Sequence, residues 1–268
     1  MKNILLLVHD DAGQTSRLQA AIDLTRALDG HLTCLDVVMM PALASDPYGA
    51  SAAGVLLEDE YAREAVNRER VEEHLFGEDI AWDLASATGD LAPCLEEAAR
   101  LADVIVVNRK VDSFAPPALS RLAGELIVKS GKPVLAVPEM ATGFAASGRA
   151  IIAWNGSEAS TAALQAAVPL LQRTTCVIII EIENNAGESS ARDAATYLSR
   201  HGIHALIRFE RPQGRSTSDI LLSEIRDRRA DYLVMGGYGH RRIAQALFGG
   251  VTRTMLERSP VPIFLAHG

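Results

Sequence analysis

Between Asp231 and Thr252 the chain reads DYLVMGGYGHRRIAQALFGGVT, an apolar run that breaks into glycines. Gly236, Gly237 and Gly239 come first, then a second pair, Gly249 and Gly250. A strand ending in glycines leaves bare backbone N–H groups at the carboxyl end of a sheet, where a phosphate can approach closely. A helix opening at the second pair would add first-turn amides and the positive end of its dipole. This spacing predicts a nucleotide phosphate held between two glycine turns. Two better-known phosphate loops are absent: Gly131-Lys132 runs into Pro133, and Arg242 stands where a GxGxxG motif needs its third glycine.

Other residues with chemical potential carry weaker patterns. His240, Arg241 and Arg242 could offset phosphate charge or open a solvated helix. Tyr238 could contact a nucleotide or cover the turn, and Trp154 reads as core. His9, Asp10 and Asp11 are types that bind metal, yet their place at a strand end favours capping and turn roles. Glu181 and Glu183 flank Ile182 and point to the opposite face of a strand. No residues fall into a nucleophile–base–orienter set, so nothing in the pattern argues for an enzyme.

The elements that must position these residues alternate regularly. Strands are expected at Asn3–Val8, Leu32–Val38, Ile80–Ala85, Val104–Val107 and Pro133–Val137, separated by helices at Thr15–Leu28, Glu58–Leu75, Leu91–Leu101 and Ala118–Lys129. Met40–Gly54 reads as a loop. Pro138–Gly148 lacks periodicity and reads as a linker between units at 1–138 and 149–268. The pattern then restarts, with strands at Ala150–Trp154, Cys176–Ile182, Ala205–Phe209, Tyr232–Met235 and Val261–Leu265. Helices are expected at Ala159–Leu171, Ser190–His201, Ser216–Arg228 and Val251–Arg258. All-apolar strands alternating with helices imply a parallel sheet covered on both faces. The restart is an internal repeat. Gly77 matches Gly202 and Gly89 matches Gly214 at an offset of 125, Asp103 matches Asp231 at 128, and Pro133 matches Pro262 at 129. His9 matches Asn155 at 146, so the first copy carries an insertion. After the fourth strand the first copy has Asn108, Arg109 and Lys110 where the second has glycines. Those side chains would block a phosphate, which leaves one site, in the second copy. The last strand is apolar enough to pair with the other copy or with a second chain.

Composition sets outer limits. The 268 residues are 48% hydrophobic and 22% charged, as expected of a folded domain or pair of domains. A net charge of −8 argues against nucleic acid as the main partner. Cys34, Cys94 and Cys176 lack metal-ligand spacing, and Cys34 and Cys176, in apolar strand-like runs, are expected to be buried thiols in a reducing compartment. MKNILLLVHDD is a first strand and not a signal peptide, and no run is long enough to span a membrane. A cytoplasmic protein is expected.

Gly236-x2-Gly239-x9-Gly249, with Asn155-Gly156-Ser157 after the first strand of the second copy, resembles the universal stress protein family in its tandem two-domain form. The resemblance covers essentially the whole chain. It implies two five-stranded, Rossmann-like units of the adenine-nucleotide α-hydrolase kind, packed as a pseudo-dimer. It also implies ATP, ADP or AMP, with or without Mg²⁺, in the second unit. Ala153, where the family carries Pro, falls at the site. Asn155 would lie near the ribose and Ile182 on adenine, while Met235, Gly236, Tyr238 and Gly239 would line adenosine and phosphates. Gly249, Gly250, Val251 and Thr252 would wrap the phosphate tail. Two positions depart from the family pattern: Asn155 replaces Asp, and Gly250 replaces Ser or Thr. A nucleotide-binding regulator, a homodimer and a protein partner follow from the resemblance. The alternatives are a scaffold that binds no nucleotide, as in a branch of the family, and a slow ATPase.

Overall fold

The protein is represented by a computed structural model that describes residues 1–39, 49–109, 122–182, 190–238 and 250–268, with side chains omitted for 49–55. The first half runs β1 (Asn3–Val8), α1 (Gln14–Leu28), β2 (His31–Val38), α2 (Gly49–Phe76), β3 (Ala81–Thr88), α3 (Leu91–Ala98), β4 (Val104–Asn108), α4 (Leu122–Ser130) and β5 (Val134–Val137). The second runs β6 (Arg149–Trp154), α5 (Glu158–Leu171), β7 (Cys176–Ile182), α6 (Ala191–Arg200), β8 (Ala205–Glu210), α7 (Thr217–Asp227), β9 (Tyr232–Gly236), α8 (Gly250–Arg258) and β10 (Ile263–Ala266). A 3-10 turn, Ala99–Leu101, extends α3 to the end expected from the sequence.

The ten strands of the described residues form one sheet in the order β3-β2-β1-β4-β5-β10-β9-β6-β7-β8. Every pairing is parallel except β5 with β10, where Leu135 stands opposite Phe264 in antiparallel register. The apolar last strand therefore pairs with the other copy inside the same chain. Each half is a five-stranded unit whose order reads the same outward from this seam, as a pseudo-two-fold requires.

Side chains of the central strands alternate between two buried layers because neighbouring residues of a strand face opposite sides. Ile4, Leu6 and Val8 join α1, α2, α5 and α6 on one face, with Ile152, Ile179 and Val234. Leu5 and Leu7 join α3, α4, α7 and α8 on the other, with Ile151, Ile178 and Leu233. Burial on both faces explains why these strands read as continuous apolar runs. The edge strands β3 and β8 instead alternate exposed and half-buried positions.

Residues 49–54, expected as loop, are the start of α2. Their Ala-rich composition favours a helix, and the small residues Ser51 and Gly54 that suggested a loop are tolerated within it. Residues 40–48 lie outside the described residues. Between β5 and β6 no regular element forms, but the segment is anchored. Phe144 is buried against Tyr232, ring centroids 5.2 Å apart, and its N–H donates to Asp23. Cys34 is buried, and burial pushes its thiol up to about 12, whereas Cys94 and Cys176 are only half-buried. No described helix is long and apolar enough to cross a membrane.

Candidate nucleotide site

In each unit the chain winds outward in one direction from the first strand and returns to start the other direction at the fourth. The strands β6 and β9 are neighbours at this reversal in the second unit, as β1 and β4 are in the first. The carboxyl ends of such a pair form the crevice where open α/β sheets take ligands.

In the second unit Asn155 follows β6 and is exposed. Its Oδ1 accepts from Ser157 N at 3.2 Å and Ser157 Oγ at 2.7 Å, and Gly156 between them takes φ +71°, a value glycine adopts freely. Ser157 then caps α5 by accepting from Ser160 N at 3.2 Å. The oxygen that the resemblance places near a ribose is thus held in a turn, accepting from two donors of Ser157. Ala153 and Ile182 are half-buried near the ends of β6 and β7, and Met235 is buried in β9.

Gly236 ends β9 for a reason the sequence does not suggest. A Cβ there would lie 2.6 Å from both Ala159 C and Ser160 N, so its bare Cα lets the first turn of α5 settle on the strand end. The glycine is required by packing. Tyr238, in left-handed backbone at φ +54°, sends its ring across to the first unit, where its hydroxyl fills the space a Cβ on Gly124 of α4 would need. Its side chain is therefore part of the seam between the units, whereas the resemblance puts it on adenosine. Gly250 opens α8 with no atom of the described residues within 4 Å of its missing Cβ. Val251 is half-buried and Thr252 buried in the same first turn. Gly239, Gly249, His240, Arg241 and Arg242 lie outside the described residues. His267, which the motif search missed, reaches the same strand end: its Nδ1 is 2.9 Å from Gly237 O.

The equivalent crevice of the first unit is filled by its own side chains. Arg17 of α1 is completely buried, and its Nε donates to Leu7 O at 2.8 Å. Its Nη2 donates to His9 O at 2.5 Å. Nη1 reaches both oxygens of Asp11, at 2.6 and 2.8 Å, and Asn108 Oδ1 at 2.6 Å. Burial pulls the guanidinium below its ordinary pKa, and the Asp11 charge opposes that pull. Asn108 Nδ2 completes the set by donating to Ser16 Oγ at 3.0 Å. The position 146 residues after Arg17 is Ala163, and the strand-end counterpart of Asn108 is Gly236. Asp11 also accepts from Gly13 N at 2.7 Å, the turn role expected of it.

The signal for Arg17 was present in the helix pattern, since it shares the inward stripe of Ala21, Leu24 and Leu28. Arg109, which follows β4, is half-buried. Its Nη1 donates to Leu256 O at 3.0 Å, near the carbonyl end of α8, where a cation is favoured. Trp154 is core as expected, and its Nε1 donates to Ser190 Oγ at 2.8 Å. Glu181 uses both carboxylate oxygens to cap α6, accepting from Ser190 N at 3.2 Å and Ala191 N at 3.1 Å. Lys110 and Glu183 lie outside the described residues.

Two α/β units with paired crevices, joined edge to edge, define a tandem α/β protein. The chain belongs to the universal stress protein family, whose model matches twice, over residues 1–138 and 148–267. A universal stress protein from Archaeoglobus fulgidus DSM 4304 is similar at a TM-score of 0.70 and 16% identity, over 100% of this chain and 99% of that one. A functionally unknown protein from Pseudomonas aeruginosa PAO1 matches at a TM-score of 0.57 and 15% identity, over 100% of this chain and 92% of that one. A shorter family member from Arabidopsis thaliana, solved with AMP bound, covers 45% of this chain and 90% of its own length, at 13% identity and a TM-score of 0.34. No curated protein matches.

Proposed function

We propose that the chain is a nucleotide-responsive regulator of the stress response. It takes one adenine nucleotide, ATP or ADP, at the β6–β9 crevice of the second unit, with phosphates toward the first turn of α8. The observation that carries this reading is the pair of replacements at equivalent positions. Arg17 and Asn108 fill the first crevice, and Ala163 and Gly236 stand in their places in the second. Gly250 supports it, because a glycine at the start of a helix, with no described atom over its Cα, presents backbone N–H groups to an anion. A cytoplasmic location, a homodimer and a protein partner belong to the same reading, and sedimentation of the purified chain tests the dimer.

Calorimetric titration with ATP, with and without Mg²⁺, tests the site. One equivalent bound per chain is expected. No heat up to about millimolar nucleotide, where affinity falls to roughly 4 kcal/mol, overturns the proposal. Two equivalents overturn the division between the units.

A second reading, a scaffold that binds no nucleotide, is favoured by Gly236 and Tyr238, both committed to packing within the chain. Mass spectrometry of small molecules released from freshly purified protein separates the two. Adenine nucleotide at close to one per chain removes the scaffold reading. Phosphate release from bound ATP would add the slow-hydrolase alternative.

A further inference from the structure

The first unit differs from the second in one further respect: α2 is far longer than α6. Aligned on Gly77 and Gly202, α6 begins at the counterpart of Val66, whereas α2 begins at Gly49. The surplus, residues 49–65, adds about 25 Å of helix. It carries Glu60 and Glu64, one turn apart on one face of the helix.

These carboxylates meet His9, which follows β1 on the opposite side of the crevice. One ligand atom from each of His9, Glu60 and Glu64 can be chosen so that all three lie within 4.8 Å of one another. His9 is 2% exposed and the Glu64 side chain fully buried. The polar atoms here are incompletely satisfied. His9 Nδ1 has no aligned hydrogen-bond partner, although Glu64 Oε1 is only 2.7 Å away, and Glu60 Oε1 is buried without a partner. Arg63 engages the other oxygen of Glu60, Oε2, at 2.5 Å, and so leaves Oε1 turned inward. Other groups hold Glu64 in place: Oε1 accepts from Asp10 N at 3.3 Å and lies 4.0 Å from Arg63 Nη2, and Oε2 accepts from Asn67 Nδ2 at 3.1 Å. Asn67 is fixed in turn by Gln14, whose Oε1 accepts from Asn67 Nδ2 at 2.9 Å and from His9 N at 3.0 Å.

A buried imidazole nitrogen and a buried carboxylate oxygen, each without an aligned hydrogen bond and each able to offer a lone pair, face a second carboxylate, with the Arg63 guanidinium at their rim. We propose that His9, Glu60 and Glu64 bind a divalent first-row transition ion, Zn²⁺ or Mn²⁺, with solvent completing the coordination. An imidazole nitrogen beside two carboxylates selects such an ion over Mg²⁺ or Ca²⁺, which prefer oxygen alone. Bonds of about 2.0–2.2 Å place ligand atoms about 3–4 Å apart, so the side chains need close by only about an ångström. Gln14 and Asn67 are positioning residues that orient the ligands, as polar partners behind a metal commonly do. The extended part of α2 then has a purpose: it closes the first crevice with a metal bridge between β1 and the helix.

The test titrates the EDTA-stripped, chelator-free full chain with Co²⁺, a spectroscopic substitute for Zn²⁺, followed by competition with Zn²⁺. One Co²⁺ per chain with visible d–d absorption is expected, displaced by Zn²⁺, and Zn²⁺ should raise the melting temperature. Glu60→Gln changes a partly solvated side chain, so it should fold normally in EDTA and bind at least about tenfold more weakly. His9→Gln should weaken Co²⁺ binding and shift the d–d bands of any Co²⁺ still bound, with circular dichroism in EDTA confirming that it folds. Absence of saturable binding by the parent protein overturns the proposal. So does a folded Glu60→Gln that binds Co²⁺ as tightly as the parent.

Discussion

At the end of β4 the first unit carries Asn108, and the helix facing it begins at a glycine; a Cβ on Gly13 would lie 2.5 Å from the Asn108 side chain. At the end of β9 the second unit carries Gly236, and the helix facing it carries Ala159, 146 residues after Gly13. The same junction has been packed from opposite sides. In one unit the strand supplies the side chain and the helix yields; in the other the roles are exchanged. A glycine at a strand end is therefore not by itself the mark of a ligand. What separates the crevices is the next layer, where Arg17 stands in one and Ala163 in the other.

The largest effect should come from taking the first crevice apart. Arg17→Ala leaves Asp11 buried without its cation, a loss of about 3–5 kcal/mol read from urea unfolding. The mirror experiment, Ala163→Arg, should also destabilise, because Ser157 and Gly236 offer no carboxylate or amide where Asp11 and Asn108 stand. Equal stability of parent and Arg17→Ala would break the comparison. Gly236→Asn alone overpacks the junction and should cost roughly 1–3 kcal/mol. Adding Ala159→Gly rebuilds the arrangement of the first unit and should recover much of that loss, seen as coupling in a double-mutant cycle. Additivity of the two changes would show that the exchange of sides is coincidental.

Asp36 and Glu181 form a second pair for comparison, 145 residues apart. Glu181 caps α6, whereas α2 runs past the equivalent point, and Asp36 is left buried with Oδ1 unpartnered. Burial, and then the neighbouring Glu64 charge, push Asp36 from 3.8 up to about 6, with Arg68 and His9 pulling the other way. A folded pKa above the unfolded one means that stability is complete below about pH 4 and is lost as pH rises through about 6. In EDTA, Asp36→Asn should therefore stabilise at pH 8 by on the order of 2 kcal/mol and make no difference at pH 4, checked by thermal melts across that range. The smallest effect is expected at the cap of α5: Ser157→Ala should cost about 1 kcal/mol in chemical unfolding. A null result would mean that the Asn155 turn alone holds the helix start.

Much of the fold was legible because buried parallel strands are near-continuous apolar runs, and all ten stood out against helices of a different period. The repeat was legible through glycines and prolines at turns whose geometry tolerates few substitutes. The seam was not: the apolar residues of β10 would suit an antiparallel neighbour within the chain as well as one in another chain. At the site, Asn108 was legible as a bulky residue in place of glycine, but its bond to Arg17 depends on a contact 91 residues away. The packing role of Gly236 was hidden for the same reason, since the atoms it makes room for belong to a different element. The start of α2 was misread because its composition is that of loops, while its alanines follow helix propensity.

The antiparallel pairing of β5 with β10 also has a consequence for how the chain is made. Ile263 lies 126 residues after Val137, so the inner edge of the first unit is translated long before its partner. At ordinary synthesis speeds of about 5–20 residues per second, β5 waits for many seconds with an open row of amides and carbonyls. An uncovered apolar edge invites pairing with the wrong strand, including β5 of another nascent copy. The short length of β5, four residues, limits how much of a foreign strand it can hold during that interval. Its full grip comes only when β10 arrives, which makes the seam the last part of the sheet to close.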